Sequence, residues 1–128
     1  MAFNLPYEKI DLETSLSFGY YFIKAISKEV YMYYSRVYQK AGETLLAVCD
    51  KKVANKTFEE GKLHLFVDPS FYGGDEVREE ELIRLFEEAS VINLAGRMCV
   101  ELAIKLGYVD PENVLNIGEC SHAQVVRI

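Results

Sequence analysis

The chain has 128 residues, 50% hydrophobic and 27% charged, enough for one domain around one core. Its net charge of −6 excludes a domain devoted to gripping phosphates, so free nucleic acid is not expected as its sole partner. Cys49, Cys99 and Cys120 are an odd count without paired spacing, which fits reduced thiols in a cytoplasm better than a disulfide framework.

Residues 1–30 read as an N-terminal arm or as an early start, with Met32 as the alternative start, and 31–128 read as a single α+β domain. The most apolar stretch, Phe18 to Ile26, is short, contains Lys24 and follows Glu8, Asp11 and Glu13. It suits neither a membrane span nor a signal peptide, so no membrane partner is expected. From Val30 to Gln39 aromatic and β-branched residues predict a strand. Lys40 to Glu43 reads as a turn and Thr44 to Cys49 as the returning strand. Asp50 is placed to cap a short helical turn over 51–55. A strand follows from Lys62 to Val67, with Leu63, Leu65 and Val67 on one face and His64 and Phe66 on the other.

The strand pattern then hands over to a helix pattern at Phe71-Tyr72-Gly73-Gly74. Asp75 reads as the cap of a helix through Ala89, and Ser90 as the cap of a second helix that ends at Gly107. Asp110-Pro111 predicts a single helical turn. An extended Val114 to Ile117, a bend around 118–121 and a strand from His122 to Ile128 close the chain. Strands, then helices, then strands predict an α+β two-layer sandwich: an antiparallel or mixed sheet with two helices packed on one face.

Charge is uneven along this order. Residues 36–62 carry six bases and four acids, whereas 75–90 carry seven acids and two bases. A basic and an acidic side follow if the fold separates them; two solvated faces are the plainer reading.

The Phe71–Gly74 loop is a candidate ligand platform, because glycines admit close approach and an aromatic face can stack a ring. Asp75 and Glu76 follow at once and disfavour a phosphate there. A tight turn with Phe71 packed beneath it is the competing reading. His122, beside Ser121 and Gln124, is the candidate for proton transfer, against a histidine that only fixes the bend. Cys120-Ser121-His122 supplies at most two metal ligands, and Cys49 and Cys99 read as buried small hydrophobes, so no metal or cofactor is expected. His64 reads as surface. Lys51, Lys52, Lys56 and Lys62, with Tyr33, Tyr34 and Tyr38, form a candidate RNA-facing surface or an ordinary lysine rim. Asn93 and Gly96 are expected on one side of the second helix, where the glycine implies close packing against the loop.

Leu46-Ala47-Val48-Cys49-Asp50, Phe71-Tyr72-Gly73-Gly74, Asn93-Leu94-Ala95-Gly96, Val114-Leu115-Asn116-Ile117-Gly118 and His122-Ala123-Gln124-Val125-Val126 together resemble the archaeal family known as domain of unknown function 424. The resemblance spans about residues 32–128. It implies a small two-layer sandwich in an archaeal cytoplasm and no particular activity; a role near translation or RNA is a general expectation for such domains. The chain departs from the family pattern at Glu119-Cys120-Ser121, where a Gly-Val-Pro-like turn precedes the histidine.

Three functions follow. The first is a non-enzymatic module that docks on a larger protein or ribonucleoprotein assembly. The second is a small enzyme using His122 beside the Phe71–Gly74 loop, with Asn93 and Cys120. The third is a homodimeric interaction protein. The second needs His122 within side-chain reach of Tyr72 or Asn93.

Overall fold

A computed structural model describes residues 32–127; the N-terminal arm and its apolar stretch lie outside the described residues. The described chain is mixed α+β. Strands β1 (Tyr33–Lys40) and β2 (Glu43–Asp50) form the expected hairpin in full register, Tyr33 opposite Asp50. A 3₁₀ turn over Lys51–Val53 leads to β3 (Thr57–Glu60) and β4 (Leu63–Phe66), which pair with each other. Helix α1 (Pro69–Tyr72) is one turn, started by Asp68, whose side chain accepts from the Ser70 N–H at 2.9 Å. Then come β5 (Asp75–Val77), α2 (Glu79–Glu88), β6 (Val91–Ala95), α3 (Arg97–Lys105), a 3₁₀ turn at Pro111–Asn113, β7 (Leu115–Ile117) and β8 (Cys120–Val126).

The main sheet is mixed, in the order β5-β1-β2-β6-β8-β7. Only the β2–β6 pair in it is parallel. Alternation along each strand divides the buried side chains between two faces. Leu46, Val48, Ile92, Leu94 and Ala123 pack with Leu82 and Phe86 of α2 and with Cys99, Leu102 and Ala103 of α3. Ala47, Cys49, Ala95 and Cys120 pack on the other face with Tyr72, Val67, Phe58 and Leu65. The β3–β4 hairpin and α1 therefore contribute to a second apolar cluster, which the helix-on-one-face expectation did not contain. Full burial of a side chain such as Leu46 or Phe86 contributes about 1.5–3 kcal/mol.

Two expectations are corrected. The helix expected from Asp75 begins at Glu79, because Asp75–Val77 pairs with β1 as an edge strand. The helix expected from Ser90 begins at Arg97, because Val91–Ala95 lies between β2 and β8. Ile92, Leu94 and Ala95 are all buried, and a strand covered on both faces shows no alternation to read. Ser90 instead joins strands: its hydroxyl accepts from the Thr44 N–H at 2.9 Å and donates to Glu43 Oε1 at 2.8 Å. Residues 57–60, to which the sequence pattern assigned no element, form strand β3.

The remaining punctuation is as expected. Gly107, at φ +87°, follows the end of α3, and Asp110 accepts from the Glu112 N–H at 2.9 Å to start the short turn. Arg127 adds a cap the sequence pattern did not announce. Its Nη1 donates to the carbonyls of Phe86, Glu87 and Ala89 at 3.0–3.1 Å, at the C-terminal end of α2.

Candidate functional site: a polar row and a basic cleft

Pairing of β2, β6 and β8 places Ala47, Asn93 and Gln124 side by side on the face shared with α1. Tyr72 of α1 donates its hydroxyl to Asn93 Oδ1 in a short hydrogen bond. His122 is two residues from Gln124 on the same face, and Gln124 Nε2 lies 3.5 Å from His122 Nε2. His122 Nδ1 lies 2.8 Å from the Leu94 carbonyl. A carbonyl only accepts, so Nδ1 carries the proton and Nε2 is the acceptor of the neutral ring. Burial holds the His122 pKa below its ordinary value, against the opposing pull of the Leu94 carbonyl. Tyr72, Asn93, Gln124 and His122 thus lie in one polar row, two hydrogen-bonded pairs joined by the Asn93–Gln124 register. Asn93 belongs to a strand rather than to the expected helix side, which is why it meets the Tyr72 hydroxyl and stands opposite Gln124 in register.

The glycine loop is held from below and from the side. Phe71 stacks on Tyr38 with ring centroids 5.5 Å apart, and the Tyr38 hydroxyl donates to the Phe71 carbonyl at 2.8 Å. Arg36 Nε donates to the Gly73 carbonyl at 2.5 Å. Gly74 has φ +154°, and a Cβ there would stand 2.8 Å from the Ser35 carbonyl oxygen. The space beside that glycine is taken by the protein's own backbone, so the turn reading accounts for Gly74 without a ligand. The loop also leads into a strand rather than a helix, so it has no helix N-terminus for a phosphate.

Gly96 is remote from this loop in its contacts. It precedes α3 with φ +121°, and a Cβ would stand 2.4 Å from Asp50 Cγ. Asp50 does not cap the turn that follows it. Its carboxylate instead reaches across to α3, accepting from the Met98 N–H at 2.8 Å and the Cys99 N–H at 2.9 Å. Burial raises the Asp50 pKa, while these two donors and the Lys52 charge lower it. The N-terminus of α3 is therefore already occupied by an internal anion.

Around Asp50 opens a cleft of about 500 Å³ lined by Lys52, Val53, Lys56, Phe58, Arg97, Met98 and Glu119. Lys52, Lys56 and Arg97 are exposed, and none makes an ion pair among the described residues. Of the four lysines expected to face RNA, two line this cleft. Lys51 turns to Glu76 at 3.2 Å and over the Tyr34 ring at 5.6 Å, so the basic and acidic segments meet there. Lys62 occupies the β3–β4 turn. Tyr33, grouped with the lysines on sequence, is 3% exposed and belongs to the helix-side core. Arg97 was missed because a helix was expected to run through it; the Ala95-Gly96-Arg97 step from strand to helix was the available signal.

The thiols suit packing rather than attack. Cys49, Cys99 and Cys120 are all buried and unpaired. Burial pushes Cys49 up to about 12, Cys120 up to about 11, and Cys99 well above its ordinary value. His64 is on the surface, its Nδ1 3.5 Å from Glu59 of the paired strand. The described residues contain no group of three or more His, Cys, Asp or Glu placed to hold a metal ion. They also contain no helix long and apolar enough to cross a membrane.

The fold resembles that of an uncharacterized conserved protein from Methanopyrus kandleri, known from a crystal structure, with a TM-score of 0.59. The match covers 76% of this chain and 94% of that one at 16% identity, which carries the fold alone. No curated protein matches the chain. The family described as "Protein of unknown function (DUF424)" matches residues 38–128, the span that holds the polar row, the basic cleft and all the expected family segments, and the chain belongs to that family.

Proposed function

We propose that this protein is a non-enzymatic cytoplasmic module that docks on a larger ribonucleoprotein assembly in the translation or RNA machinery. One observation carries the reading: Lys52, Lys56 and Arg97 ring a cleft that also presents Phe58 and Met98, and the three cations have no ion-pair partner among the described residues. Lysine and arginine contact phosphate oxygens, and an aromatic side chain offers a base a stacking surface. A local cationic cleft on a chain of net charge −6 suits one or two phosphates of an RNA already held by other proteins. The domain in this reading is a sandwich, with α2 and α3 forming one layer and the start of α3 reaching the docking cleft through Arg97 and Met98.

Affinity recovery of the full chain from native lysate, with and without ribonuclease, tests it. The expected result is co-recovery of RNA and protein that ribonuclease reduces, and that Lys52→Glu with Lys56→Glu and Arg97→Glu abolishes. Recovery of the protein alone overturns the reading.

A second reading, a small enzyme centred on His122, is favoured by the polar row that links Tyr72, Asn93, Gln124 and His122. In it the Nε2 acceptor takes a proton from a substrate that displaces the long Gln124 contact. Unchanged turnover of every candidate substrate in His122→Gln would remove it.

A further inference from the structure

A second concavity, of about 430 Å³, lies where α2 crosses the β5 edge of the sheet, lined by Ser35, Val37, Gly74, Asp75, Val77, Glu81 and Leu85, with Arg36. Ser35 and Asp75 are direct cross-strand partners, and Ser35 shares its face with Tyr33 and Val37. Glu81 and Leu85 stand one turn apart on α2 and reach the same space. The notch therefore has a hydroxyl at its floor, three aliphatic walls and two carboxylates at its mouth.

The floor is the unusual part. Ser35 is 4% exposed, yet its hydroxyl makes no hydrogen bond among the described residues. A buried hydroxyl without a partner is costly, and such groups in a native structure call for an explanation. Asp75 and Glu81 also make no ion pair among the described residues, and both are exposed. Arg36 adds one positive charge nearby, but its guanidinium Nε is committed to the Gly73 carbonyl.

We infer that this notch binds an alkylammonium group. A primary ammonium has three N–H donors, and the notch supplies three acceptors: the Ser35 hydroxyl and the carboxylates of Asp75 and Glu81. An aliphatic stem then lies against Val37, Val77 and Leu85, as lysine stems lie along apolar surface. The bound group donates to the buried hydroxyl and offsets one of the seven acidic charges of the segment. The aliphatic walls favour an organic cation over a hydrated metal ion, and the described residues hold no cluster of three or more metal-ligating groups. The ammonium has two sources, a free alkylamine or a lysine side chain of a docking partner. This site shares no residue with the basic cleft, so the two stand or fall separately.

Titration of the ¹⁵N-labelled full chain with n-pentylamine, with the peptide acetyl-Gly-Lys-Gly-amide and with its norleucine counterpart tests the inference. The expected result is saturable shifts of the Ser35, Val37, Asp75 and Leu85 amides with the two amines and none with norleucine. Glu81→Gln weakens binding by about tenfold, and Ser35→Ala, which leaves a methyl where the acceptor was, by several-fold. Tighter binding of the peptide assigns the site to a partner's lysine; equal or tighter binding of pentylamine assigns it to a free amine. Absence of saturable shifts, shifts spread over all the acids of 75–90, or binding unaltered in Glu81→Gln overturns it.

Discussion

Two buried polar groups of this domain sit under two clefts of opposite charge, and they behave in opposite ways. Asp50, 7% exposed, is fully engaged by two amide donors of α3 and stands beneath Lys52, Lys56 and Arg97. Ser35, 4% exposed, has no side-chain partner among the described residues and stands beneath Asp75 and Glu81. The difference separates a group that builds a site from one that waits for a ligand. Asp50 fixes the start of α3 and the shape of the basic cleft, so any ligand there is held by the rim. In the acidic notch the floor itself has an acceptor to offer.

Substitutions break this comparison in order of effect. Gly96→Ala places a Cβ against the buried Asp50 carboxylate at a backbone conformation alanine resists, so chemical denaturation should show a loss of about 3 kcal/mol or more. An unchanged midpoint would mean that Asp50 does not occupy the place described. Asp50→Ala leaves the buried Cys99 N–H and the part-buried Met98 N–H at the start of α3 without acceptors, for an expected loss of about 1–3 kcal/mol. Ser35→Ala is the opposite case. It removes an unsatisfied hydroxyl, so stability should stay level or rise by up to about 1 kcal/mol without ligand. A loss as large as that of Asp50→Ala would show that Ser35 has an internal partner and would erase the contrast.

The smallest effect belongs to the polar row, which has neither ring of charge and serves as a reference for both. The native state holds the His122 pKa below 6.5, so below that pH the unfolded chain binds the proton more readily than the native one. Stability from His122 is present above pH 6.5 and declines as pH falls toward the lowered native value. His122→Gln should flatten that shallow slope in urea titrations run between neutral and mildly acidic pH, and an unaltered slope would place the titration elsewhere.

Much of the framework was legible locally. The β1–β2 hairpin, the Gly107 stop and the Asp110-Pro111 turn each rest on residues adjacent in sequence. The surface position of His64 and the burial of Cys49 and Cys99 followed from pattern as well. Three strands were not legible. Residues 75–77 are too short to announce a strand and are held by pairing with β1, about forty residues away in the chain. Residues 91–95 hide their period because both faces are covered, and 57–60 gain strand character only through β4. Asn93, Gln124, His122 and Tyr72 were all named as candidates, but their meeting depended on β6 being a strand. Arg97 was marked only by the Gly96 step before it, and Ser35 carried no local mark at all.

What the sequence determined by itself is the α+β class, the family, and the sign of the charge each segment brings to the surface, because propensity, motif order and formal charge are properties of short stretches. What only the tertiary structure decided is which charges share a cleft and which buried groups find partners. Those outcomes depend on strand register and on the crossing of α2 and α3 over the sheet. They join Asp50 to α3 and bury Ser35 at the floor of the acidic notch, through contacts between residues distant in the chain.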